Sequence, residues 1–132
     1  MTTPRPVRGY RDLIVWQKAT ALRREVHLIV VALPREARFE LGAQIERAAL
    51  SIPSNIAEGH ARLQRKDYRQ YLSIARGSAA ELETQLLALS EDYPALHAQI
   101  GHAVGLRHEV ARMLSAIIKK LESHQTGAGR VR

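Results

Sequence analysis

Apolar residues in this chain return at alternating steps of three and four. Val15, Ala19, Leu22, Val26, Ile29 and Leu33 form the first such stripe, the pattern of a helix that buries one face. Pro34 closes it, because proline has no amide to continue the ladder. A second helix is predicted to begin near Arg38, with Leu41, Ile45, Ala48, Ala49, Ile52 and Ile56 on one broad face and its end marked by Gly59. The third has the cleanest spacing, with Tyr68, Leu72, Ala75, Ala79, Leu82, Leu86 and Leu89 following a heptad alternation. Asp92-Tyr93-Pro94 interrupts it. A fourth helix then runs to about Glu122 with Val110, Leu114, Ile117 and Leu121 inward, its first half weakened by Gly101 and Gly105.

No alternating strand pattern competes with these stripes, and the connections between them are short. Short connections make consecutive helices antiparallel neighbours. The expected fold is all-α, an antiparallel up-down-up-down four-helix bundle over residues 10–123 with helix two bent at Pro53. Residues 1–9 and 124–132 lack periodicity and are rich in Pro, Gly and Arg, so they read as a flexible basic N-terminal arm and a flexible C-terminal tail.

Three residues run against helix propensity inside these stripes. A proline costs an isolated helix interior about 3 kcal/mol and a glycine about 1 kcal/mol relative to alanine. Pro53, Gly59 and Gly77 therefore point to geometry or close packing that outweighs propensity.

Composition narrows the class. With 132 residues the chain is one domain, large enough to bury a core unaided, and it has no cysteine for disulfide or thiolate chemistry. No segment approaches the run of about 20 apolar residues that spans a bilayer, so a soluble cytoplasmic protein with no membrane association is expected. The net charge is +7 and the isoelectric point is near 10.4, which favours a polyanionic partner such as RNA or DNA.

A polar stripe runs beside the apolar face of helix two: Gln44, Arg47, Ser51, Asn55 and Glu58. Helix three carries Tyr71, Ser78, Glu81 and Gln85 on a comparable flank. A hairpin turning near residues 62–64 would bring Arg47 level with Ser78 and Glu81, and Asn55 level with Tyr71. The expectation is a hydrogen-bonded seam containing an Arg47–Glu81 ion pair, within one subunit or between subunits. A solvated face and a ligand-contacting face are the alternatives.

Basic residues cluster where helix three begins: Arg62, Arg65, Lys66 and Arg69, with Glu81, Glu83, Glu91 and Asp92 at its other end. The helix dipole prefers the reverse distribution, so the arrangement suggests service to a partner. Arg65, Arg69 and Arg76 share one flank, and Arg5, Arg8 and Arg11 add a basic arm. These eight residues are the candidate nucleic-acid contacts, against the simpler reading of solvated charges or intersubunit salt bridges. Aromatic residues are scarce, so any such binding is backbone-dominated and salt-sensitive.

Catalysis finds no support. There is no Glu-x-x-His pair of the di-iron bundle kind, and His27, His60, His97, His102, His108 and His124 lack zinc-type spacing. No phosphate-cradling Gly-x-x-x-x-Gly-Lys loop occurs, and Gly77-Ser78 follows no strand that would make it a nucleophile elbow. The chain reads as non-enzymatic, without metal or cofactor.

Three phrases carry a family resemblance: Asp12-Leu-x-Val-Trp16-Gln-Lys-Ala; Gln44-x-x-Arg-Ala-x-x-Ser-Ile-Pro-Ser-Asn-Ile-Ala-Glu-Gly59; and Ala75-Arg-Gly-Ser-x-x-Glu-Leu-Glu-Thr-Gln85. In order and spacing, residues 10–122 resemble the small four-helix bundles encoded in intervening sequences of bacterial 23S ribosomal RNA genes. They are similar also to the accessory variability protein of diversity-generating retroelements. The resemblance implies a bacterial homopentamer, with RNA or DNA, or a protein such as a reverse transcriptase, as partner. Two readings stay open: an oligomeric accessory protein docked electrostatically on nucleic acid, and a scaffold ring that recruits a protein without touching nucleic acid.

Overall fold

The computed structural model describes residues 6–130, with side chains through 123. Four helices carry the fold: α1 (Ile14–Val31), α2 (Ala43–Ala61), α3 (Arg65–Asp92) and α4 (His97–Arg130). A 3-10 turn, Tyr10–Asp12, leads into α1, and another, Pro94–Leu96, joins α3 to α4. Among the described residues there is no strand. The helical backbone of α4 continues to Arg130, past residue 123 where the flexible tail was expected to begin.

Each helix packs on its sequence neighbours, and α1 closes the bundle against α4. Paired positions give the directions. Across α3 and α4, Arg76 meets Ser115, Glu83 meets Arg107 and His108, and Ser90 meets His97, so partner numbers fall as α3 numbers rise. Ser51 with Ser78 and Arg62 with Tyr71 run the same way between α2 and α3. These pairings make α2 antiparallel to α3, and α3 antiparallel to α4.

The apolar stripes meet in the middle. Val15, Ala19, Leu22, Val26 and Ile29 of α1, Ile45, Ala49, Ile52 and Ile56 of α2, and Leu72, Ala75, Ala79, Leu82, Leu86 and Leu89 of α3 are all buried. On α4 the buried positions are Ile100, Ala103, Val110, Leu114 and Ile118, while Ile117 and Leu121 are only partly covered. The expected inward face of α4 is thus shifted towards Ile118 around residues 117–121. Gly101 and Gly105 lie within the unbroken helix, on its exposed side.

Helical backbone begins earlier before α2 than expected, at Arg35–Ala37, and passes through a π-helical stretch, Arg38–Gly42. The wider turn carries one extra residue and leaves Phe39 exposed. Pro53 is buried inside the continuous α2, where its missing amide deprives the Ala49 carbonyl of its usual partner.

Gly59 does not end α2, which continues to Ala61. It sits where α2 and α3 approach most tightly: a Cβ on Gly59 would lie 2.6 Å from the Tyr71 Cβ and 3.2 Å from the Tyr68 Cδ1. Gly77, on α3, has open space at the same place. The two glycines share a propensity cost but not a packing reason.

Candidate nucleic-acid interface

The two flanks of α3 face different neighbours. Tyr71 and Ser78 turn towards α2, and Arg76 and Glu83 turn towards α4. The seam and the basic flank are therefore separate surfaces.

Half of the predicted seam closes. The Ser51 and Ser78 hydroxyls lie 2.8 Å apart, and Asn55 Nδ2 donates to the Ser51 carbonyl at 2.8 Å and to Ser51 Oγ at 3.0 Å. Ser78 is thus level with Ser51 rather than with Arg47. That register brings Arg47 to the height of Glu81, yet both side chains are exposed and form no ion pair among the described residues. The Glu81 carboxylate accepts instead from Gln85 Nε2 at 3.4 Å. Both charges project outward and keep their hydration, which a buried pair would have surrendered. Gln44 and Glu58 are likewise exposed.

Arg62 belongs to the seam side. Its Nη2 donates to Tyr71 Oη at 2.8 Å and to Glu58 Oε1 at 3.2 Å, with the guanidinium 5.1 Å from the centre of the Tyr71 ring. The hydrogen bond to Glu58, followed by the charge interaction with Tyr71, holds its pKa above the ordinary arginine value. With Glu58 as counter-ion it is not a ready phosphate donor, and it stands apart from the other cations expected beside it. Together with Tyr10 of the N-terminal turn, Asn55, Glu58 and Tyr71 line a shallow cleft over α2.

The remaining basic residues divide by element. Arg5 lies outside the described residues. Arg8 and Arg11 are exposed at the turn that packs on α1 and α2, where the Arg8 amide donates to Asp12 Oδ2 at 2.9 Å and the Arg11 carbonyl accepts from Gln17 Nε2 at 2.9 Å. Arg65 and Lys66 are exposed in the first turn of α3 and carry no hydrogen bond or ion pair among the described residues. Arg69 is half-buried on the flank that faces α4 and is engaged in an interaction of its own. Arg76 Nη1 donates to Ser115 Oγ at a long 3.4 Å.

The structure adds a second row of cations from α4. His108, Arg112, Ser115 and Lys119 recur at steps of four, three and four, one face of the helix. Ser115 places that face beside Arg76. Arg112, Lys119 and Lys120 are exposed and make no hydrogen bond or ion pair among the described residues. A groove of about 500 Å³ is lined by Arg107, His108, Ala111, Arg112 and Ser115. Another of about 370 Å³, at the end of the bundle, is lined by Arg65, Tyr68, Ile117, Lys120 and Leu121. Burial pushes the Tyr68 phenol up from its ordinary value. The spacing of the α4 row was visible in the sequence, but its position beside α3 was not.

One carboxylate anchors this side. Glu83 takes Arg107 Nη2 at 3.0 Å and His108 Nε2 at 2.6 Å on its two oxygens. Arg107 is 11% exposed and its Nε is buried without a partner. Because Glu83 is held by these two groups, it leaves Arg76 and Arg112 without a carboxylate. Lys18 and Glu109, at 2.7 Å, tie α1 to α4 on another side.

Among the described residues no group of three or more His, Asp or Glu is arranged to hold a metal, and no helix is long and apolar enough to cross a membrane. Fold and surface together define a small all-α bundle with a cationic face built by two adjacent helices. The chain belongs to the family of 23S rRNA-intervening sequence proteins, whose pattern it matches over residues 11–116. No curated protein matches it.

Proposed function

We propose that this protein is a cytoplasmic, oligomeric accessory protein that docks on the phosphate backbone of RNA or DNA without a chemical step. The observation that carries the reading is the set of cations from α3 and α4, Arg65, Lys66, Arg112, Lys119 and Lys120, exposed and without acidic partners among the described residues. Cations left unneutralised release condensed counter-ions when they meet phosphate, so affinity falls steeply with salt. Trp16 does not serve as a stacking platform for bases, being partly buried in edge contact with Tyr10 at 5.3 Å. Membership of a family named for a ribosomal RNA insertion is consistent with a nucleic-acid context.

Assembly into a homopentamer is part of the proposal. Leu50, Ile74 and Leu87 are each about half exposed on α2 and α3, apolar area that self-association would cover. In a closed ring the cationic face repeats once per subunit, and weak contacts add as avidity.

Light scattering for mass, with a salt series of RNA and duplex DNA binding on wild type and on Arg65→Glu/Lys120→Glu, tests the reading. An oligomer whose binding weakens with salt and disappears in the variant supports it. An oligomer with no polynucleotide affinity at low salt overturns it in favour of a ring that recruits a protein partner, such as a reverse transcriptase.

A further inference from the structure

We infer that Arg76, Arg112 and Ser115 form a clamp for a single phosphodiester group, one per chain; the inference rests on the backbone-docking reading above. Arg112 and Ser115 are three residues apart on α4 and line one groove of about 500 Å³. Arg76 reaches the same place from α3, since its Nη1 donates to Ser115 Oγ at 3.4 Å. A contact that long is weak and gives way readily to a charge-assisted one. Arg112 and the Ser115 hydroxyl thus line the groove while Arg76 stands at its edge on Ser115, and a tetrahedral anion with several acceptor oxygens matches that donor set.

The surrounding residues leave the site open and positive. Glu83 is the carboxylate placed to neutralise it, and both its oxygens are taken by Arg107 and His108. Arg107 also lines the groove, and the charge it brings is balanced by Glu83. Small residues flank the site: Ala111 is in the groove wall, and Gly77, next to Arg76, has nothing within 4 Å of its Cβ position.

The test is fluorescence anisotropy with labelled duplex DNA and duplex RNA of mixed sequence, across a salt series, on the full chain. Variants are Arg76→Gln, Arg112→Gln, the double variant, Ser115→Ala, and Arg24→Gln as an exposed control on α1. Each arginine variant is expected to reduce the slope of log K against log salt by about 0.9 for every chain in contact with the nucleic acid, the value for one phosphate. The double variant loses the same amount as either single variant, because both arginines hold the same group and losing one releases it. Ser115→Ala weakens binding about tenfold and leaves the slope unchanged, as a neutral donor should. Arg24→Gln changes neither, and circular dichroism melting confirms that every variant folds.

Wild-type binding with slopes untouched by Arg76→Gln and Arg112→Gln overturns the clamp and leaves backbone docking standing. A double variant that loses twice as much slope as either single variant overturns the single-phosphate geometry. Equal displacement of the label by polyglutamate of matched charge shows an unselective anion face and overturns the phosphodiester assignment. No binding by the wild type at low salt removes the docking reading itself and the clamp with it.

Discussion

Gly59 and Tyr71 hold α2 and α3 at a distance only glycine permits: a Cβ on Gly59 would stand 2.6 Å from the Tyr71 Cβ. The obstructing atom belongs to the root of a side chain, and the Tyr68 carbonyl oxygen, 3.3 Å away, belongs to the backbone. Neither moves unless α3 moves. Gly59→Ala gains about 1 kcal/mol of helix propensity and meets an overpacking cost of about 1–3 kcal/mol. The expected net result is a loss of stability, read in urea unfolding.

Gly77→Ala is expected to act in the opposite direction. Nothing lies within 4 Å of its Cβ position, so the propensity gain of about 1 kcal/mol is unopposed within the chain. Urea unfolding at several protein concentrations checks it. A destabilisation that grows with dilution would place a neighbouring subunit against this glycine.

The Ser51–Ser78 contact should be measurable as a coupling between α2 and α3. Ser51→Ala removes the hydroxyl that pairs with Ser78 and accepts from the Asn55 amide, and is expected to cost about 0.5–1.5 kcal/mol. A double-mutant cycle with Ser78→Ala isolates the cross-helix part. Arg47→Ala and Glu81→Ala should show no coupling in the monomer, since the two charges do not meet within the chain.

Removing the Glu83 carboxylate leaves Arg107 without its counter-ion. Because Arg107 is 11% exposed, Glu83→Gln is expected to cost about 1.5–3 kcal/mol, the range for hydrogen bonds to charged groups. Glu109→Gln, which breaks the more exposed pair with Lys18, should cost less than about 1 kcal/mol. Chemical denaturation of both variants side by side gives the comparison.

Stability should fall at alkaline pH partly through Tyr68. Burial raises its phenol pKa in the folded chain, so below the unfolded value of roughly 10 both states are protonated and the contribution is fully present. As pH rises past that value the unfolded state ionises first, and stability declines until the folded phenol also ionises. Tyr68→Phe should flatten this part of the alkaline decline, measured by thermal melting across the range.

The stripe from Leu72 to Leu89 was legible because burial of one helix face is a periodic property, repeated at every turn of a single segment. The same rule was less exact on α4, where Ile117 packs against the core but its neighbour Ile118 is the more deeply buried, because two adjacent isoleucines fit the period almost equally well. Gly59 was legible as an exception to propensity, but sequence could not tell a helix end from a close approach. Arg62 looked like one more cation in a basic run until Glu58, a turn earlier on α2, proved to hold it. The α4 row of Arg112 and Lys119 had a visible period and no visible neighbour.

Sequence alone determined four amphipathic helices, their order, their apolar faces and an excess of positive charge, because each follows from spacing and composition within about one helical turn. Tertiary structure alone decided which flank of α3 meets which helix, and so which charges are matched and which are left over. Arg76 beside Ser115, Glu83 between Arg107 and His108, and Arg47 apart from Glu81 all depend on helix rotation and register. Those are set by packing between segments distant in the chain, where the energy of a contact depends on angles and heights that no local pattern records.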